Sequence, residues 1–554
     1  MQSTPFLMET NGQVQVHERV PLTVLHGLSS LFVRYATAYE SLAAFYAGDY
    51  RKPSVRRELA QRTAAHPRDR ETLVQVLLAQ HERWGLDAPT RKQIEALRDP
   101  ESVVVVAGQQ VGLFGGPLFT LYKALTLVKL AQTLTDELRR PVVPIFWLAG
   151  EDHDYEEVAS VTVLKGTEPV TLRLEHPDGT YAGPVGRLTF PESIQALLEA
   201  LADLLPPTDF REPLLALLRE TYRPGVTFQD AFARLLKRWM PEDVGLVLID
   251  PGDARLKALA RPLFERELTD WETAHRRLEA VSQALAAHYH VQVRTRPLKL
   301  FLLTDRQRIP LEVEPTGFRL RNENQVLSRT EALRLLQERP ERFSPGVLLR
   351  PLYQDWLLPT LAYVAGPAEV AYWAQLKPLY EWAEIPMPLV YPRALVMLVE
   401  PRIARWLQRY HVRPEALQED PDRLFHQLVQ AQLDGELEAA LEEARQQFRV
   451  LGTRLRPLVE RVDPSLGPAT EAWTTRLEHE LDQFRKRVLR AGKRREATLR
   501  DQIVRARNSL FPKGVLQERV LSPVYFLGKY GLELPQQLLH TLSLDTSALQ
   551  VIYL

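Results

Sequence analysis

The chain has 554 residues, 45% of them hydrophobic, with lysine plus arginine and aspartate plus glutamate balanced at 70 each. That length supports more than one packed core, and the zero net charge leaves no long-range positive field to recruit nucleic acid or an anionic membrane. With no cysteine, disulfides, thiolate metal sites and a cysteine nucleophile are excluded, and no leader or membrane-spanning apolar run is visible; the expectation is a cytoplasmic globular protein acting on small molecules, with no nucleic-acid or membrane partner.

Residues 20–100 read as helical, with Leu25, Leu28, Leu31 and Phe32 on one stripe and Leu73, Val76 and Leu77 on another. From 101 to about 398, strand candidates at 103–106, 142–148, 246–249, 298–303 and around Val390 alternate with helical segments. This is the pattern of a mostly parallel α/β core. Shorter alternating runs at 161–163, 171–174 and 311–320 suggest hairpins inserted at the carboxyl edge of that sheet, where they would wall a pocket. Beyond about 399, strands give way to charged helix formers. An apolar seam from Leu437 through Phe448, Leu451, Leu458 and Val462 meets a turn at 462–468. A second arm then carries Trp473, Leu477, Phe484, Val488 and Ala491, and continues through Leu499 to Leu510. The two arms predict an antiparallel helical hairpin, whose seam either only closes the hairpin or also builds a dimer interface. Gly452 and Pro457 argue against regular geometry in the first arm, and the segment after 510 is expected to return to the core.

Three motifs carry polar chemistry. In AGQQVGLFGGPLFTLYKA a strand runs into Gly108, Gly112, Gly115 and Gly116, and Pro117 opens a helix. Such a unit is expected to aim free backbone N–H groups at an anion. Gln109 and Gln110 carry amides able to orient a substrate, and Lys123, about two turns into the helix, either reaches back toward that anion or is a surface lysine. The spacing matches neither the phosphate loop nor the dinucleotide fingerprint. In FWLAGEDHDYEE, six ionisable residues among Glu151, Asp152, His153, Asp154, Tyr155, Glu156 and Glu157 follow a strand without a linker. A carboxylate-flanked histidine suits a general base, carboxylates suit Mg²⁺ beside phosphate oxygens, and acidic residues also cap helix starts. In RPLYQDWLLPTLAYVAGPAEVAYW, Arg350, Gln354 and Asp355 precede an apolar segment, and Gly366-Pro367 opens a helix carrying Glu369 and Tyr372. Arg350 either clamps a carboxylate or phosphate or pairs with an acid such as Asp355; Arg393 carries the same two readings.

Taken together, GQQVGLFGGPLFTLYKA, FWLAGEDHDYEE, GVTFQDAFARLLKRW with GLVLIDP, LLRPLYQDWLLPTLAYVAGPAEVAYWAQLKPLY and LFPKGVLQERVLSPVYFLGKYG resemble the bacillithiol biosynthesis cysteine-adding enzymes, the BshC family, from about residue 100 to the end. The resemblance implies an amide-forming ligase that joins cysteine to glucosaminyl-malate. It also implies an α/β fold: a Rossmann-like parallel-sheet core with connecting-peptide insertions over 101–398 behind a helical 1–100. An α-helical antiparallel coiled-coil domain over 399–509 would serve homodimerisation, and 510–554 would return to the core. The core is also similar to class I aminoacyl-tRNA synthetases and nucleotidylyltransferases, but FGGPLFT stands where those enzymes have a His-x-Gly-His signature, and no Lys-Met-Ser-Lys-Ser loop is found.

ATP or ADP is the cofactor the resemblance suggests, with Mg²⁺ undecided and a nucleotide site implied at Asn508, Phe511, Pro512 and Lys513. In the expected ligase, His153 or Asp154, beside Asp152, accepts the proton of the attacking amine. Gln109 and the backbone around Gly115 and Gly116 hold an anionic group, and Lys123 or Arg350 offsets carboxylate charge. Two alternatives stand beside it: another ATP-dependent ligase or nucleotidyltransferase on the same core, and a non-catalytic dimeric scaffold in a thiol pathway.

Overall fold

The computed structural model describes residues 15–176, 183–304, 307–321, 323, 325–432 and 436–554. The chain divides into two compact units, Met1–Val399 with Val515–Leu554, and Glu400–Gly514.

A parallel sheet organises the first unit. Its five core strands are, in chain order, Val103–Gln109, Val142–Leu148, Val247–Ile249, Thr360–Ala365 and Leu389–Pro392. In space they lie fifth, fourth, first, second, third, all parallel. The unbroken valines at 103–106 are fully buried, as a strand covered on both faces requires. Helix Leu118–Leu138 connects the first strand to the second and buries Leu121, Leu125 and Val128. The strand order reverses between the first and fourth strands, and in such Rossmann-like sheets the crevice beyond the carboxyl ends at that reversal is where ligands bind.

One expected strand belongs elsewhere. Leu300–Leu303 joins an antiparallel five-stranded sheet with Arg308–Glu314, Gly317–Leu320, Val326–Ser328 and Phe343–Pro345, inserted between the third and fourth core strands. Its place in the parallel sheet is taken by Thr360–Ala365, which the sequence conceals in an apolar stretch directly after helix Arg350–Leu357. Propensity marks a segment as strand-like but does not choose its partner. A second insert, the hairpin of Ser160–Lys165 and Glu168–Arg173, leaves the core after its second strand.

Two further strands lie outside the expected pattern. Gln15–Pro21 and Ala548–Tyr553 join Leu395–Val399 in a three-stranded sheet, so the far end of the chain completes the first unit. The segment preceding that last strand is held by a buried ion pair, Arg393 to Glu518 at 2.6 and 2.9 Å. Beside it, the Gln517 amide bonds both the N–H and the carbonyl of Leu398 at 2.9 Å.

The second unit is helical. Its long helices Glu436–Glu460 and Leu466–Leu510 fold back on each other, with Arg449 paired to Glu478 at 2.8 Å between them. Pro457 is accommodated within the first helix, and Gly452 marks a close approach, since a Cβ there would meet Thr474 Oγ1 at 2.3 Å. Seam residues Leu451, Leu458, Trp473 and Phe484 stay exposed, whereas Leu499, Ile503, Ala506 and Leu510 are buried. The side chains of Leu437, Val488 and Ala491 lie outside the described residues. No helix among the described residues is long and apolar enough to cross a membrane.

Candidate functional site

A cavity of about 920 Å³ lies against residues just past the ends of all five core strands: Gln110, Ala149, Pro251, Gly366 and Arg393. The antiparallel insert supplies further lining through Phe301, Arg308 and Pro345. In a chain of zero net charge, this lining carries nine lysine and arginine side chains against four carboxylates. Such a concentration of one sign favours an anionic ligand.

The fourth strand builds the densest part of the site. Gly366 leaves the strand in extended geometry and Pro367 starts helix Pro367–Trp373, which puts Glu369 one turn in. The Glu369 carboxylate folds back to accept the Gly366 N–H at 2.7 Å, the Tyr363 hydroxyl at 2.5 Å and the Lys123 ammonium at 2.6 Å. Lys123 is therefore no surface residue. It is buried, and its other protons go to the Gly108 carbonyl at 2.8 Å and Gln109 Oε1 at 3.1 Å. Burial lowers its pKa, opposed by the charge of Glu369. The lysine ties the ends of the first and fourth strands together, with its charge already balanced.

Arg350 is placed differently. Its guanidinium donates to Gln354 Oε1 at 3.1 Å and to the hydroxyls of Tyr363 and Tyr372 at 3.4 Å, and lies 5.4 Å from the Tyr363 ring centroid. None of these partners is an acid. Asp355, the counter-charge of the alternative reading and itself a candidate for binding substrate, is buried off the cavity lining, where it accepts from the Tyr380 hydroxyl and from Gln354 at 2.8 Å. Burial pushes its pKa up to about 6. A guanidinium supported by neutral groups on a cavity wall retains its charge for a carboxylate or phosphate. Arg393 follows its other reading and is spent on Glu518.

The acidic loop divides its labour. Asp152 accepts from Gln110 Nε2 at 2.7 Å and from the His153 N–H at 2.8 Å, with His153 Nδ1 3.4 Å away and Arg308 at 3.8 Å. Burial opposes the Asp152 charge, but hydrogen bonds from His153 and Gln110 and the charge of Arg308 outweigh it and bring the pKa to about 2. His153, 45% exposed in its side chain, lines the cavity beside this fixed anion. Asp154 is a cap: it accepts the Glu157 N–H at 3.2 Å at the start of helix Tyr155–Val158 and does not line the cavity. Tyr155 and Gln354 also lie off the lining; the Tyr155 hydroxyl donates to the Leu174 carbonyl at 2.9 Å. Glu151 pairs with buried Lys257 at 2.7 Å and accepts from Ser344 at 3.0 Å, which fastens the core to its insert.

The glycine-rich turn corrects an expectation. The N–H groups of Gly112, Gly115 and Gly116 donate to the carbonyls of Gln110, Gly112 and Leu113 at 3.0–3.1 Å, and that of Leu118 donates to Leu521 at 2.8 Å. These groups are consumed by the fold, so this turn is not an anion cradle. Gly115 is needed for space and conformation: its φ is +86°, and a Cβ would sit 2.0 Å from the Trp239 ring. Gly108, Gln109 and Gln110 border the cavity, while Gly115 and Gly116 do not.

In the second unit, Asn508 is in the last turn of helix Leu466–Leu510, with Phe511, Pro512 and Lys513 just beyond it. Phe511 and Pro512 are buried, so they offer no open aromatic face for a base; Lys513 is exposed, with φ 55°. Among the described residues, no three or more histidines and acids are grouped to hold a metal ion. Arg308 is a lining residue the sequence does not reveal, because it lies in a stretch without a motif and gains its role only from distant Asp152. Tyr363 stands inside the third motif and shows its role only through its contacts with Glu369 and Arg350, and Lys257 braces Glu151 from off the lining.

A doubly wound sheet, inserts along its carboxyl edge and a cation-rich cavity at the strand-order reversal define a Rossmann-like protein with a site suited to an acidic small molecule. The chain belongs to the bacillithiol biosynthesis BshC family: residues 16–394 match its N-terminal Rossmann-like domain and 396–554 its C-terminal coiled-coil domain. It is 44% identical to the "Putative cysteine ligase BshC" of Salinibacter ruber, over 96% of this chain and 98% of that protein. Proteins with the same name from Chlorobaculum tepidum and Bacillus cytotoxicus are 35% and 29% identical, over 91% and 84% of this chain and 93% and 87% of theirs.

Proposed function

We propose that this chain is a carbon–nitrogen bond-forming ligase that adds L-cysteine to glucosaminyl-malate, giving the amide of bacillithiol. The observation that carries the reading is Arg350, held by neutral partners on the wall of a cation-rich cavity, in a family whose members are named cysteine ligases. Both reactants bear carboxylates, which this lining suits. The amine nitrogen of the acceptor bonds to the carboxyl carbon of cysteine, a carboxyl oxygen departs and the amine gives up a proton. His153, held beside an ionised Asp152, is the group available to take that proton, since Asp154 is engaged in capping. The departing oxygen requires activation, for which ATP with Mg²⁺ is the proposed co-substrate; of the four residues implied for a nucleotide, Lys513 is the one suited to phosphate. The exposed hairpin residues Leu451, Leu458, Trp473 and Phe484 support homodimerisation of a cytoplasmic enzyme.

Purified protein incubated with cysteine and glucosaminyl-malate, with and without ATP and Mg²⁺, should yield the amide product by mass spectrometry. No product with any nucleotide overturns the reading. His153→Ala should abolish cysteine addition with thermal stability nearly unchanged, and retained activity removes His153 from the mechanism.

A further inference from the structure

Between helix Trp271–Ala286 and strand Leu300–Leu303 the chain runs without helix or strand and borders the cavity. Two anchors hold this stretch. Buried Gln375 grips Val293 through both backbone groups, donating to its carbonyl at 3.0 Å and accepting its N–H at 3.3 Å, and also donates to Ser282 at 2.9 Å. Six residues further on, Lys299 and Glu267, both buried, form an ion pair at 3.0 Å reinforced by the Lys299 N–H at 2.8 Å. A buried ion pair gains little net stability over an apolar contact but is costly to break from one side, so it serves as a positional pin.

Arg294 and Arg296 lie between the pins. Both are exposed, both line the cavity, and among the described residues neither side chain has a hydrogen-bond or ion-pair partner. Other cations of the lining are occupied: Lys123 by Glu369, Lys299 by Glu267, Arg321 by Glu312 and Arg393 by Glu518. The protein thus fixes the backbone on either side of two arginines and leaves their guanidinium groups unspent. A planar fork of donors on a pinned backbone loses little entropy when it meets a carboxylate.

We propose that the 293–299 strap is a carboxylate clamp in which Arg294 and Arg296 bind the malyl carboxylates of the acceptor and select acidic over neutral acceptors. This inference rests on the ligase reading. The R294A/R296A double variant should raise KM for glucosaminyl-malate by about tenfold to a hundredfold, the loss expected for charge-assisted hydrogen bonds, with kcat and the KM for cysteine changed less than about threefold. The wild type should prefer glucosaminyl-malate to a neutral methyl glucosaminide, and the variant should lose most of that preference. R294K/R296K, which keeps charge but not the fork, should fall between.

Calorimetry with malate alone gives a readout independent of turnover, with weaker binding expected in the alanine variant. Unchanged acceptor KM, selectivity and malate affinity overturn the clamp. A wild type that binds malate through these arginines yet ligates nothing leaves the clamp standing and overturns the ligase reading instead.

Discussion

The first and fourth core strands end in a similar way, each running through glycine and proline into a helix, yet they contribute differently to the site. After the first strand, the glycines of the turn spend their N–H groups on neighbouring carbonyls, and Gly115 makes room for Trp239. After the fourth, one glycine suffices, and Glu369, Tyr363 and Tyr372 surround Lys123 and Arg350 at the cavity. Glycine density here reports tight packing. The recognition chemistry belongs to the end whose side chains are long, polar and incompletely neutralised.

Substitutions at the two ends can break this contrast. Arg350→Ala should have the largest effect, lowering kcat/KM by roughly 10³-fold, or about 4 kcal/mol, as expected when a preorganised charge is removed from a reacting site. Near-normal steady-state kinetics would show that the ligand does not meet the fourth-strand end. Gly115→Ala should act on stability: left-handed strain plus overpacking against Trp239 predicts a loss of about 3 kcal/mol in denaturant unfolding, with KM for both substrates retained. A raised KM at unchanged stability would restore the anion cradle.

Asp355 gives the smallest effect and sharpens where the fourth-strand site stops. Its folded carboxyl holds a proton up to pH about 6, against an ordinary value of 3.8, so the stability it contributes is fully present below 3.8 and lost as pH rises through about 6. Asp355→Asn should flatten the decline between those pH values, by at most about 3 kcal/mol at one pKa unit per 1.36 kcal/mol, and leave kcat/KM unchanged. Unfolding midpoints at three pH values check the slope, and a loss of activity would return Asp355 to the site.

Much of this architecture is legible in the sequence. The valine run at 103–106 marks a doubly covered strand, the alternation at 161–174 a hairpin, and the seam on either side of residues 462–468 two long helices. Arg350, Glu369, Tyr372 and His153 stand in the polar motifs, and all of them line the cavity. The misassigned segments share one cause. Residues 298–303 and 360–365 are both short apolar runs, and local periodicity does not say which run pairs with Val103–Gln109 and which turns back into an antiparallel insert.

Hydrophobic period, glycine and proline placement and the recurring motifs determined by themselves the class of fold, the helical hairpin and the family, because these depend on near neighbours in the chain. Which charges are spent and which remain was decided only by tertiary structure. Lys123 meets Glu369, Lys257 meets Glu151 and Arg393 meets Glu518 across separations of more than one hundred residues, while Arg350 is left with neutral partners. Whether a buried charge is paired depends on what folding brings within about 4 Å of it, a distance that no local pattern encodes.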